Sequence, residues 1–441
     1  SHFGFIYQDS IKKLNPLMSV GEHLFELLKL HFINQSNSYL SKKVVEIFSK
    51  VGISSKRLNS FPHEFSGGMR QRVCIALAIA LNPKIIIADE PTTSLDAYTS
   101  YEIMKQLLRL CDEYSSTLLL VTHDIALASK WCKRIAIIDE GVIAEQGFLK
   151  DVMQSTQSNI GKKLLKAASL SIKKLPLSDI NSEVVLEVGN LRHWYRLNSS
   201  LIKPKWNKAI NEISFKLFKN ETLGVVGISG SGKSTLGKVL TGLLDKRGGY
   251  INTYMNHLSR NKKQKINNAK NIQMIFQDPY SSLNPKMTIK EILEDVYFIH
   301  NQFDRKKMKI ELISVLKKLN LPYKDIFINQ YPNQLSGGQL QRISIARALL
   351  IKPRILICDE SLNMLDASVK IEILQLLRKI QREMNLSIIF ITHDLGLAQK
   401  FCNRLLVINE GIIIEEGETK AIFKDPQNKI TKTLIECSLS I

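Results

Sequence analysis

Short apolar runs rich in Ile, Leu and Val punctuate the chain, each bounded by turn or polar residues. They are KIIIADE at 84–90, TLLLVT at 117–122, LGVVGI at 223–228, RILICDE at 354–360 and SIIFIT at 387–392. Runs of this kind without polar alternates read as strands buried on both faces, the pattern of a parallel sheet. Between them lie segments such as YEIMKQLLRLC and TLGKVLTGLL, whose apolar spacing reads as helix. The alternation predicts an α/β chain, with helices covering both faces of mainly parallel sheets.

The pattern occurs twice. FSGGMRQR at 65–72 matches LSGGQLQR at 335–342, and each is followed by an apolar run ending in Asp-Glu and then by a THD segment. Ser66 and Ser336, Asp89 and Asp359, Asp96 and Asp366, and His123 and His393 are each 270 residues apart. The second copy also carries GISGSGKST at 227–235. The same offset applied to Lys233 falls before Ser1, so the first copy is expected to lack its front end, as an incomplete gene product or fragment rather than an evolved half-site. The expected organisation is a first copy over 1–150, a helix (IGKKLLKAASL) and linker over 151–182, a complete second copy over 183–425, and a short extension over 426–441.

A chain of 441 residues is long enough for two sizeable cores. Its net charge of +20 suits nucleic acid, an anionic membrane face or an acidic partner, or else reflects lysines scattered over solvated faces. The six cysteines form no CxxC pair and no metal-ligand spacing, which favours a reducing cytoplasm over a disulfide scaffold. No apolar run approaches the roughly 18–20 residues needed to span a bilayer.

Gly227 to Ser234 fit G-x-x-x-x-G-K-S between an apolar run and a helical pattern, the context in which this motif binds phosphate. Gly227, Gly230 and Gly232 let the backbone curl so that N–H groups converge on an anion. Ser229, Ser231 and Thr235 complete the loop, which feeds the positive end of a helix. Lys233 can reach the β- and γ-phosphates, and Ser234 can ligate Mg²⁺. Asp359 ends a strand, where a carboxylate can hold the Mg²⁺ shell, and Glu360 follows as a candidate general base for water.

These segments together resemble the ATPases of ABC transporters. The SGG segments resemble that family's signature, and MIFQDPYSSLNP at 274–285 and FIYQDSIKKLNP at 5–16 resemble its glutamine loop. The resemblance places Gln277 and Gln8 in contact with Mg²⁺ and water, His393 and His123 at the γ-phosphate, and Tyr195 against adenine. It implies two P-loop NTPase domains of ABC type, each with a mainly parallel sheet core, an antiparallel β subdomain (missing from the first copy) and a helical subdomain. It also implies a head-to-tail arrangement in which ATP held by one copy meets the signature of the other. One site would then use the second copy's loop with Ser66, Gly67 and Gly68. The opposite site would retain Gln8, Asp89, Glu90 and His123 facing Ser336, Gly337 and Gly338. Phe65 stands where the family usually has Leu, and ESLNMLD at 360–366 is looser than EPTTSLD at 90–96.

Glutamine loops running into LNP, in a two-copy chain, further resemble the fused ATP-binding subunits of bacterial oligopeptide, dipeptide, nickel and glutathione importers. This resemblance implies an ATP-hydrolysing motor using ATP and Mg²⁺, peripheral at the cytoplasmic face of the inner membrane. It would work with two membrane-spanning permease subunits and a separate substrate-binding protein, without nucleic acid. Segments 9–60 and 278–330 would be the arms that receive the membrane subunits. The alternative is a soluble two-module ABC ATPase acting on ribosomes or DNA, which the charge would suit. Against it, the linker has no long charged helical pair and the chain has no zinc-type cysteine pairs. A non-hydrolysing scaffold is a third reading, disfavoured by Lys233, Asp359 and Glu360.

Overall fold

The structure, a computed structural model, describes residues 2–8, 13–92, 95–122, 124–169, 181–197, 205–254, 270–299, 305–362, 365 and 367–438. The chain forms two compact units, Ser1–Ala168 and Ser169–Leu439.

In the first unit, β1 (Phe3–Ile6), β2 (Ile85–Asp89) and β3 (Thr117–Val121) form a parallel sheet in that order. β4 (Arg134–Asp139) and β5 (Val142–Phe148) form a separate antiparallel hairpin. Helices Val20–His31 and Asn37–Lys50 start at Ser19 and Ser36, whose hydroxyls accept the backbone N–H groups of Glu22 and Tyr39. Caps of this type contribute about 1 kcal/mol each. Their apolar faces, with Leu24, Leu28, Val44 and Phe48, pack into one core with Ile75 and Ile79 of helix Gly67–Ile79.

The second unit is built on six strands in the order β10-β11-β12-β8-β13-β14. These are β8 (Thr222–Val226), β10 (Ile272–Ile275), β11 (Ile355–Asp359), β12 (Ser387–Ile391), β13 (Arg404–Asn409) and β14 (Ile412–Glu418). All pairings are parallel except β13–β14. A three-stranded antiparallel sheet is formed by β6 (Asn181–Leu197), β7 (Lys205–Lys219) and β9 (Gly248–Thr253), with β6 in the middle. Helices Ile289–Ile299 and Arg305–Lys318 gather with helix Gly337–Leu349 into the helical subdomain. The segment read as a helix after the first copy is helical over Asn159–Ser169.

Strands buried on both faces are what the second unit shows: every residue of β8, β11 and β12 is buried. The first unit departs from that expectation. No residue of β3 is fully buried, with Leu119 54% and Val121 46% exposed, whereas Ile389 and Ile391 of β12 are at 0%. The reason is what covers that sheet face. Ile389 and Ile391 pack into one core with Leu236, Val239 and Leu240 of helix Lys233–Leu240, and among the described residues Leu119 and Val121 belong to no such core.

Candidate functional site

β8 delivers the chain directly into the loop at 227–232, and helix Lys233–Leu240 leaves it. Two glycines there are required by space as well as by backbone angle. A Cβ on Gly227 (φ +154°) would lie 2.0 Å from the Ile408 carbonyl oxygen, and one on Gly232 (φ +103°) 2.0 Å from that of Ala209. Gly232 caps the helix without a side-chain hydrogen bond. The Lys233 ammonium donates to the carbonyls of Gly227 (3.0 Å) and Ile228 (2.8 Å), and lies 3.5 Å from Ser231 Oγ. The cation is thereby held against the curl of the loop. Ser231 is buried, while Ser229 and Gly230 form the exposed crest.

Ser234 Oγ donates to Asp359 Oδ1 at 2.9 Å, joining the loop helix to the end of β11. Asp359 is 3% exposed, and burial pushes its pKa up to about 6, opposed by the Ser234 bond and reinforced by the neighbouring Glu360. A buried carboxylate beside a serine hydroxyl is a hard-oxygen pair suited to a cation such as Mg²⁺ that keeps most of its waters. Among the described residues there is no group of three or more His, Cys, Asp or Glu side chains able to hold a metal by themselves.

Glu360 turns out of the strand at φ +45°, its N–H donating to the Ile391 carbonyl at 2.9 Å. Gln277 Nε2 donates to Glu360 Oε2 at 3.1 Å, and His393 Nδ1 lies 3.3 Å from Glu360 Oε1. The structure therefore brings Gln277, Glu360 and His393 together, and Ser234 and Asp359 together, at the same ends of the parallel strands. Tyr195, 39% exposed, sits with its hydroxyl 3.5 Å from Thr235 Oγ1 and its ring edge-on to His193 at 4.8 Å. His193, which no sequence motif singles out, is held through Nδ1 by the Asp245 carbonyl at 2.7 Å.

Both signature serines are helix caps. Ser66 Oγ accepts the Met69 N–H, and Ser336 Oγ accepts the Gln339 N–H while Gln339 Oε1 accepts the Ser336 N–H. The reciprocal arrangement exists only where Gln follows the two glycines. Beside Ser336, Gly337 and Gly338 is an open cavity of about 340 Å³, also lined by Arg342 and Glu372. In the first unit Gln8 Nε2 donates to Glu90 Oε2 at 2.6 Å, and Asp89 ends β2 just before Glu90. His123 and Asp366 lie outside the described residues.

Sequence reading missed the left-handed backbone of the two glutamates. Glu90 (φ +44°) and Glu360 share it, as do Asn82 and Lys352, Ser115 and Asn385, and Glu140 and Glu410. The only signal for it was Asn at two of these eight positions, since Asn tolerates this conformation and Glu and Lys do so poorly.

The sequence profile of the family described as "ABC transporter" matches residues 1–93 and 210–363. Over 443 residues the chain is 34% identical to the "Peptidoglycan transport ATP-binding protein YejF" of Agrobacterium fabrum, covering 99% of this chain and 80% of that protein. It is 34% identical to the "Uncharacterized ABC transporter ATP-binding protein YejF" of Escherichia coli, covering 98% and 82%. It is 33% identical to the "Glutathione import ATP-binding protein GsiA" of Shigella boydii, covering 98% and 73%.

Proposed function

The chain belongs to the ABC transporter family and is an ATPase of an import system, and from that premise we propose that it drives uptake of oligopeptides, dipeptides or a related small solute such as glutathione or nickel. The observation that carries the proposal is the cluster at the strand ends of the second unit, where Lys233, Ser234, Asp359, Glu360, Gln277 and His393 converge. The names of the relatives supply the solute class, peptidoglycan and glutathione both containing peptide. They lend no support to a ribosome- or DNA-acting ATPase.

The loop N–H groups and Lys233 bind the phosphates, and Tyr195 offers a ring face to the adenine. Ser234 and Asp359, with Gln277, would hold Mg²⁺, which when bound offsets the charge of the phosphate oxygens. Glu360 accepts a proton from water as its oxygen bonds to the γ-phosphorus and the bond to the ADP oxygen breaks. Gln277 and His393 fix the orientation of the Glu360 carboxylate. The barrier is lowered by positioning and charge stabilisation, with no covalent enzyme intermediate. Ser66–Gly68 and Ser336–Gly338 are proposed as nucleotide-contacting signature segments, and Gln8, Asp89, Glu90 and His123 as the first copy's counterparts of Gln277, Asp359, Glu360 and His393.

Two permease subunits and a separate binding protein are the proposed partners, with the chain peripheral at the cytoplasmic membrane face. No helix among the described residues is long and apolar enough to cross a membrane. The test is affinity purification of the tagged chain from native membranes, followed by ATPase assays with and without peptide-loaded binding protein. Recovery of permease subunits and peptide-stimulated turnover are expected. Recovery of ribosomal RNA or DNA in their place would overturn the assignment.

A further inference from the structure

Helix Gly337–Leu349 begins at the signature serine and ends beneath the glutamine loop. Near its end Arg347 lies between buried Ala346 and Ala348, and its Nη1 donates to the backbone carbonyl of Ser282. Ser282 closes a four-residue helix, Pro279–Ser282, whose start is capped by Asp278 through the Tyr280 N–H at 2.9 Å. So short a helix leaves its last carbonyls without partners of its own, and a guanidinium is well suited to take one. Asp278 follows Gln277, whose amide is bonded to Glu360. A continuous path of covalent and hydrogen bonds thus runs from Ser336 along the signature helix, through Arg347 and Ser282, back along the short helix to Gln277 and Glu360.

The first unit keeps the near end of this path, and its residue at the tether position carries no donor. Gln8 bonds Glu90 in the same way, but the position 270 residues before Arg347 is Leu77, a partly buried side chain packed into the apolar core. The difference is chemical as well as steric, because Leu77 has no donor to offer any carbonyl.

We propose that Arg347 is a positioning residue that couples the signature helix to the glutamine loop in the second copy, so that movement of that helix is passed to Gln277 and through it to Glu360. The inference rests on the reading of the second copy as the hydrolytic site. Arg347 touches neither the phosphate loop nor Glu360, so its loss should act on turnover and leave nucleotide affinity alone.

The experiment uses the full chain, with ATP and Mg²⁺ for turnover and a fluorescent ATP analogue for binding. Arg347→Met keeps the aliphatic stem and removes the donors, and Arg347→Lys keeps a cation within reach of the carbonyl. Expected are a roughly tenfold fall in kcat for Arg347→Met, with KM and analogue affinity within about twofold, and recovery of most of kcat in Arg347→Lys. Amide hydrogen exchange over residues 280–283 should rise in Arg347→Met and return toward wild type in Arg347→Lys, a readout that does not depend on turnover. Unchanged kcat, unchanged exchange, or equal losses in both variants would overturn the proposal. Lys233→Ala separates this inference from the reading beneath it: if that variant hydrolyses ATP as fast as wild type, the site assignment fails and the role of Arg347 falls with it.

Discussion

Replacing Glu360 in two ways tests its chemistry and its backbone separately. Glu360→Gln keeps the length of the side chain and an oxygen able to accept the Gln277 amide, and removes the group proposed to take the proton from water. General-base catalysis is worth about 10²–10⁴ in rate, or roughly 3–5 kcal/mol of barrier. Turnover should fall by that factor with nucleotide binding within about twofold, because the phosphate contacts are proposed to come from Lys233 and the loop. Glu360→Gly removes the same chemistry but also frees a residue held at φ +45°. That conformation costs a residue with a Cβ about 1–2 kcal/mol, against roughly 0.5–1 kcal/mol for the extra chain entropy of Gly. Burial chiefly pushes up the pKa of Asp359, and the substitution removes the like charge that adds to it. Glu360→Gly should therefore be inactive and at least as stable as wild type, measured by thermal denaturation alongside ATPase. A Tm lowered by more than about 4 °C, equivalent to over 1 kcal/mol in a domain of this size, would refute the strain argument. More than a tenth of wild-type kcat in Glu360→Gln would refute the general-base role.

Three further substitutions probe the site and its support. Lys233→Ala should abolish binding of a fluorescent ATP analogue to the second copy, and retained tight binding would remove Lys233 from the phosphate site. Gly232→Ala should weaken nucleotide binding at least tenfold, since its Cβ would meet the Ala209 carbonyl at 2.0 Å; unchanged affinity by the same titration would show that the loop does not need this backbone. Arg404→Met strands Glu221, which is 1% exposed and lies 3.4 Å from Arg404, beside the first residue of β8. Leaving one member of a buried pair costs about 3–5 kcal/mol at pH 7. Burial raises the Glu221 pKa above its ordinary value, so its ionised form destabilises the fold and that burden is lost as pH falls through the folded pKa. The Tm deficit of Arg404→Met should thus shrink toward pH 5, and a deficit constant from pH 5 to 8 would sink the argument.

Much of the second unit was legible in the sequence because its signals are local. An apolar run, a glycine-rich turn and a helical pattern in direct succession dictate β8, the loop and helix Lys233–Leu240. The internal repeat made Asp359, Glu360 and His393 stand out before any contact was known. What was illegible depends on neighbours distant in sequence. TLLLVT and SIIFIT carry the same apolar pattern, yet Leu119 is exposed where Ile389 is buried, because burial is set by whether a distant element such as helix Lys233–Leu240 packs on that sheet face. The positive φ of Glu90 and Glu360 escapes propensity altogether, since Glu is a poor choice for it and is retained there for its side chain. Arg347 reads as an ordinary helix residue until its carbonyl acceptor, 65 positions away, is known.

The glutamine–glutamate contact shows how sheet register places the pair proposed for catalysis. In the second unit Ile275 of β10 stands opposite Cys358 of β11, and Gln277 and Glu360 each lie two residues further on. In the first unit Ile6 of β1 stands opposite Ala88 of β2, and Gln8 and Glu90 again lie two residues further on. The two contacts form at 3.1 Å and 2.6 Å although β3 and β12 have different surroundings on their outer flanks. In both units the glutamate N–H is fixed by the carbonyl of the last residue of the next strand, Val121 or Ile391. The register of three adjacent parallel strands thus brings this pair within reach in both units, and the Arg347–Ser282 bond is added to it in the second. The phosphate loop, which enters from a fourth, adds the substrate to a geometry already made.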